Sequence, residues 1–247
     1  ALTNTIFDSK KIPISEWIEY LLHFFEFHSI NSTAYDNRNS PTTGKYWLIK
    51  TFEVLKGIQN DVVLDGTVYL DETYFTKVRS KLVTKDGKKL RGISRNKIGV
   101  GVACNETKSI FIVTGTSKPS RKSTKETYSQ HIARGSVLVH DDEHSHSILI
   151  EELELESIVY PTAETKELSD KDNPLYPVNN LHLLLKQFIR NHGAYAREHL
   201  QDWSNLFWFI MNEPKDKYDK VLKFIEMAVL SPKKVRYRDA MNSKHSK

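Results

Sequence analysis

"GTVYLDETYF", residues 66–75, is an apolar, β-forming run with two acids in its middle. Val68, Tyr69 and Leu70 lead in, Tyr74 and Phe75 follow, and the "VVL" of residues 62–64 precedes it. Aspartate is disfavoured in strands, and a charge is costly to bury. Asp71 and Glu72 therefore mark either a tight turn or bulge at the surface, or a carboxylate held inside a strand by a metal ion.

The metal reading needs a second carboxylate from another strand, and "VLVHDDEHSH", residues 137–146, supplies one. There an apolar run ends in Asp141, Asp142 and Glu143, with His140, His144 and His146 around them. Magnesium takes hard oxygen ligands, and two such ions about 4 Å apart can clamp the attacking and leaving oxygens of a phosphodiester. Asp71 and Asp141 suit that chemistry because each caps a hydrophobic run. Two alternatives stay open: a polar turn without metal, and a transition-metal site built from His140, His144 and His146.

Around these two runs, "KIGVGVACN" and "SIFIVTGTS" are further β-rich stretches, and "LESIVY", residues 155–160, is a candidate fifth strand. "KSTKETYSQHIAR" predicts a helix over residues 122–134. Strands in series, then strands alternating with helices, predict an α/β fold: a mixed five-stranded sheet flanked by helices. Residues 178–190, "VNNLHLLLKQFIR", carry Leu181, Leu184, Leu185 and Phe188 on one helical face. Asn179, His182, Lys186 and Arg190 fall on the opposite face. That polar face would offer an Asn oxygen to a metal and cations to DNA phosphates; a charged surface helix is the plain alternative. "YAREHLQDWSNLFWFIMN" and "DKYDKVLKFIEMAVL" read as closing helices, with Leu200, Trp203, Leu206, Phe207 and Ile210 forming a core stripe.

Ahead of the strands, "PISEWIEYLLHFFEFHS" (13–29) and "PTTGKYWLIKTFEVLKG" (41–57) read as helices joined by a short polar segment. The rhythm is that of a helix-turn-helix unit or of a plain helical hairpin. In the first case Lys45, Trp47 and Lys50 would face DNA. The expected organisation is a helical segment over 1–60, an α/β domain with C-terminal helices over 61–231, and a basic flexible tail over 232–247.

The 247 residues are 39% hydrophobic and 27% charged, enough for one large domain or two small ones. A net charge of +5 permits nucleic-acid binding without requiring it. The single cysteine, Cys104, excludes a disulfide framework and a cysteine zinc site within these residues. No apolar run reaches the roughly 20 residues of a membrane span, and a cytoplasmic location is expected. The connection after the first strand, "KVRSKLVTKDGKKLRGISRNK", is strongly basic, and Lys88, Lys89, Arg91, Arg95 and Lys97 are candidate contacts to a phosphate backbone. His182 and Arg190 join them from the later helix.

Taken together, "LDETY", "GSVLVHDDEHSH" and "NNLHLLLKQFIRNHGAYAREHLQDWSNLFWFIMN" resemble bacterial insertion-sequence transposases of the ISXO type, over nearly the whole chain. The resemblance implies a ribonuclease-H-like catalytic domain and metal-dependent DNA cleavage and strand transfer using Mg²⁺ or Mn²⁺, in two ions. It also implies a homodimer acting on terminal-repeat and target DNA. By position it makes Asp71 the first metal ligand, Asp141 the second, Asn179 the third, and Lys186 the family's lysine. Asn180 and His182 are the other choices for the third place. The family's N-terminal zinc ribbon would precede "TIFDSKKIPISEW". Two alternatives accompany this reading, an inactive transposase-derived DNA-binding protein and a nuclease without strand joining.

Overall fold

The computed structural model describes residues 2–8, 12–76, 83–88, 90, 92–169, 171–192, 197–231 and 233–242. They group into two compact units. One holds residues 1–58, 187–195 and 205–247, and the other holds 59–186 and 196–204.

The second unit is built on a five-stranded mixed sheet, ordered β3-β2-β1-β4-β5. Its strands are β1 (Thr67–Thr76), β2 (Lys97–Cys104), β3 (Ser109–Thr116), β4 (Val137–His140) and β5 (Glu156–Val159). β1 pairs antiparallel with β2 and parallel with β4. The acid-bearing run thus lies in the central strand, ten residues long and buried on alternate residues at its start. Val68 and Leu70 join Leu64, Ala103, Ile110, Tyr128 and Leu138 in the core on one face of the sheet.

The outer strand β3 does not leave its backbone open. Gln59 accepts from Phe111 N (2.7 Å) and donates to Phe111 O (3.1 Å). Gln201 accepts from Val113 N at 2.7 Å and donates to Phe111 O at 3.1 Å. Side-chain amides here satisfy groups that an edge strand otherwise offers to another chain.

α4 (Arg121–Tyr128) starts at a Ser120/Ser123 capping box and ends earlier than its helical pattern predicts. The following backbone is claimed by β-type pairing: Leu64 N donates to His131 O and Ala133 N to Leu64 O, both at 2.8 Å. Those bonds outcompete another turn of helix. α5 (Ser147–Leu153) and α6 (Thr162–Thr165) follow β4 and β5, and α7 is Tyr176–Asn191.

The first unit carries α1 (Ile14–Phe25), α2 (Ile30–Asp36) and α3 (Pro41–Leu55). It also carries most of α8 (Leu200–Met211), with α9 (Lys217–Leu230) and α10 (Tyr237–Asn242). Ser29 and Ser40 cap α2 and α3, with Pro41 opening the latter. Trp17 and Trp47 stack at 4.5 Å, and the Tyr20 hydroxyl donates to Gly44 O at 3.1 Å.

Two expectations fail in this unit. Trp47 and Lys50 are 1% and 2% exposed, so neither faces DNA, and of that trio only Lys45 is exposed. The C-terminal stretch is no free tail: Tyr46 donates to Val235 O at 2.6 Å, Lys233 donates to Glu53 O at 2.7 Å, and α10 is helical. Residues 243–247 lie outside the described residues. Among the described residues no helix is long and apolar enough to cross a membrane.

Candidate active site

The register of the sheet sets the site. Leu70 of β1 lies opposite His140, the last residue of β4. The next residue on each chain is therefore a carboxylate, Asp71 and Asp141, on neighbouring parallel segments about 4.8 Å apart. Asp71 stays within β1, paired across to Val102 of β2, while β4 has already ended. Asp141 begins a turn in which its Oδ1 accepts from Glu143 N at 3.1 Å. Neither is fully enclosed: their side chains are 24% and 27% exposed.

Burial pushes the Asp71 carboxyl up to about 7, and the charges of Asp141 and Glu72 push the same way. Burial raises Asp141 as well, against the pull of His146 and of the Glu143 N–H. Two half-buried acids that repel one another form a site that gains from a cation.

α7 brings a third group. His182 Nδ1 stands 3.8 Å from Asp71 Oδ2, and the side chain is buried. Burial, followed by the charge of Lys186, holds its imidazole down at about 4, so it is a neutral ring at ordinary pH. Its Nε2 is buried with no hydrogen-bond partner among the described residues. The helical face inferred from spacing is thus corrected at this position. His182 is not an outward cation for DNA, because it is turned onto Asp71, while Leu183 is the exposed neighbour at 53%.

Asn179 lies one turn before His182 and half-buried, and Lys186 one turn after it and exposed. Burial lowers the Lys186 ammonium, with Asp71 opposing and Lys97 reinforcing that shift. Three of the residues named from sequence, Asp71, Asp141 and Lys186, therefore share one electrostatic environment. His182, named as an alternative, is the helix residue that contacts Asp71.

Behind the carboxylates runs a buried polar chain that sequence reading missed. The Tyr128 hydroxyl donates to Glu72 Oε1 at 2.8 Å, and His146 Nε2 lies 3.4 Å from the same oxygen. His146 Nδ1 faces His140 Nδ1 at 3.1 Å, and His140 Nε2 meets Ser157 Oγ at 3.1 Å. Burial and the charge of His146 hold His140 down at about 4. Burial also works against a proton on His146, but Glu72, Asp141 and Asp71 together raise it. His146 Nδ1 is also 3.9 Å from Asp141 Oδ1, which ties the chain to the site.

His140, Asp141 and His146 have ligand-type atoms within 4.8 Å of one another. His144 is exposed and stands outside that cluster, so the three-histidine site does not form. The signal for the chain was available in "LDET": an acid two residues after Leu70 falls on the same buried face as Leu70.

Of the candidate DNA contacts, Lys88 and Arg95 are exposed on the connection between β1 and β2. Lys97 is half-buried, with Nζ donating to Thr76 Oγ1 at 2.9 Å, and Arg190 is exposed on α7. Lys89 and Arg91 lie outside the described residues. Arg197, which sequence reading did not single out, donates from Nε to Thr76 O at 2.6 Å, beside Lys97.

No family model and no curated protein matches the chain. Among solved structures it is similar to the catalytic domain of Mos1 mariner transposase, at 14% identity and a TM-score of 0.36, covering 76% of this chain and 93% of that one. It is also similar to the Mos1 mariner paired end complex with Mn, at 14% identity and a TM-score of 0.34, covering 93% and 82%. A pre-cleavage Mos1 transpososome gives 13% and 0.34, covering 92% and 80%. The fold assignment stands on the strand order and register described above.

Proposed function

We propose that this protein is a DDE-type DNA transposase of the ISXO kind, cleaving and joining DNA by metal-dependent phosphoryl transfer. The observation that carries the reading is the placement of Asp71 and Asp141 side by side on the central strand and its parallel neighbour, with His182 of α7 3.8 Å from Asp71. The residues fit divalent cations. Two carboxyls are raised by burial and by charges around them, and a neutral imidazole presents a buried nitrogen with no hydrogen-bond partner among the described residues. In this proposal Asp71 and Asp141 hold Mg²⁺ or Mn²⁺, and His182 occupies the third position in preference to Asn179.

Two bound ions would activate water or a DNA 3′-hydroxyl and neutralise the leaving oxygen. The chain's own groups do the rest. The Glu72–His146 pair fixes Asp141 from behind, and Lys186 offers its ammonium to a phosphate beside Asp71. Lys88, Arg95, Lys97 and Arg197 follow the DNA backbone away from the cut. Element ends and target DNA are the proposed partners, with a homodimer to pair two ends.

The neutral third donor favours one second reading, a transposase-derived DNA-binding protein that no longer cuts. Nicking of supercoiled plasmid separates the two. Wild type with Mg²⁺ or Mn²⁺ should produce open circles, and Asp71→Asn should not. Equal nicking by both proteins would overturn the assignment of Asp71, and DNA binding without nicking by wild type would favour the second reading.

A further inference from the structure

We infer a separate metal site in the N-terminal helical unit, formed by His23, His28 and Asp36 and suited to a late first-row divalent ion such as Zn²⁺. It depends on none of the residues assigned to DNA chemistry. The geometry begins with how α1 ends. Phe27 N donates to Phe24 O at 3.2 Å and His28 N donates to His23 O at 3.4 Å, closing the helix with a Schellman turn.

Such a turn puts its left-handed position on the residue between the two bonds, and Phe27 takes it with φ 66. Glycine is the usual occupant, since a Cβ there crowds the following carbonyl oxygen. The turn also brings together the residues before and after it, which in most helices are apolar and make a hydrophobic contact. Here they are His23 and His28. Their rings lie nearly parallel, with centroids 5.4 Å apart and an interplanar angle of 28°.

Asp36, the last residue of α2, closes the third side, with Oδ2 3.8 Å from His28 Nδ1. That separation is too long for a hydrogen bond. It is close to the roughly 3.3 Å that separates neighbouring tetrahedral ligands placed about 2.0–2.1 Å from zinc. His28 Nδ1 is buried and has no hydrogen-bond partner among the described residues, an unfavourable state for a polar atom. Ligand-type atoms of all three residues fall within 4.8 Å of one another, so a small closure brings them onto one ion.

The donor set names the class of ion. Two imidazoles and one carboxylate suit Zn²⁺, Co²⁺ or Ni²⁺, whereas Mg²⁺ and Ca²⁺ prefer oxygen alone. Three protein ligands leave a position for water. An ion there would pin the end of α1 to the end of α2 and stabilise the left-handed Phe27 turn between them.

The test uses Co²⁺ as a visible probe on the full chain carrying Asp71→Asn and Asp141→Asn, which removes the carboxylates of the other site. This parent should bind one equivalent of Co²⁺ with the absorption of a low-coordinate nitrogen and oxygen site. Adding His23→Gln, His28→Gln or Asp36→Asn should weaken that binding by roughly tenfold or more. Thermal unfolding in chelator checks that each variant folds. Asp36 is exposed, so Asp36→Asn settles the question even if a histidine variant unfolds. A parent that binds no Co²⁺, or a folded Asp36→Asn variant that titrates like the parent, would overturn the proposal.

Discussion

His182 Nδ1 lies 3.8 Å from Asp71 Oδ2, while the Nε2 of the same ring is buried without a hydrogen-bond partner among the described residues. A neutral imidazole in that position has one nitrogen near the acid and one to offer. If it serves the carboxylate site, His182→Ala removes a group that its neighbour one turn away cannot replace. We expect metal-dependent plasmid nicking to fall by about 100-fold or more in His182→Ala, and by less than about tenfold in Asn179→Ala. Initial nicking rates in Mn²⁺ measure both, and the reverse order would return the third position to Asn179.

The acids of the site should cost the metal-free protein stability, in a direction that pH reveals. The Asp71 carboxyl is raised from 3.8 to about 7, so the folded state keeps a proton that the unfolded chain has released between those values. The stabilisation is complete below about pH 4 and is lost as pH rises through about 7. The full shift would correspond to roughly 4 kcal/mol. With 24% of the side chain exposed, water screens part of it, and about 1–2 kcal/mol is expected. Asp71→Asn in chelator should therefore unfold at higher temperature than wild type at pH 8 and at nearly the same temperature at pH 4. Millimolar Mg²⁺ should raise the wild-type midpoint and leave the variant unmoved. Equal midpoints at both pH values would show that Asp71 ionises without strain.

Glu72 and Gly101 face each other across β1 and β2, and the Tyr128 hydroxyl reaches Glu72 through the space that glycine leaves. A Cβ at Gly101 would sit 2.1 Å from that hydroxyl oxygen and 2.6 Å from the ring carbon bearing it. Gly101→Ala should thus expel the tyrosine and cost about 2–3 kcal/mol. Tyr128→Phe, which deletes only the hydrogen bond, should cost about 1 kcal/mol. Because both act on one oxygen, the double variant should lose less than the sum. Denaturant unfolding of the four proteins measures the coupling, and strict additivity would show that the hydroxyl does not hold Glu72.

The strands were legible because their side chains alternate or run apolar, and the acids at their ends stood out against that background. The pairing of Leu70 with His140 was not legible, since register depends on a partner 70 residues away and no local signal encodes it. The same limit hid the chain from Tyr128 to Ser157, whose members come from β1, β4, β5, α4 and the turn after β4. On α7 the periodicity was correct but the burial of His182 was not, because a polar side chain looks solvent-facing until its acid partner is known. Phe27 in a left-handed turn was beyond reach for a related reason: glycine marks such turns, and none is present there.

Lys50 shows how charge alone misleads. Its spacing after Lys45 and Trp47 placed it on a DNA-facing side, yet its Nζ donates to Ile6 O at 2.6 Å and lies 4.5 Å from the centre of the Tyr46 ring. The four-carbon stem fills core volume while the ammonium satisfies a backbone carbonyl that water does not reach. Lys50→Met keeps the stem and leaves Ile6 O short of a donor, at a cost of about 1–3 kcal/mol. Lys50→Ala also opens a cavity and should cost about 2–4 kcal/mol. Thermal unfolding should follow that order, and DNA affinity of folded Lys50→Met at fixed salt should match wild type within about twofold. A surface phosphate contact predicts the opposite pattern: affinity falling, its salt dependence shallower by about one charge, and the unfolding midpoint unchanged.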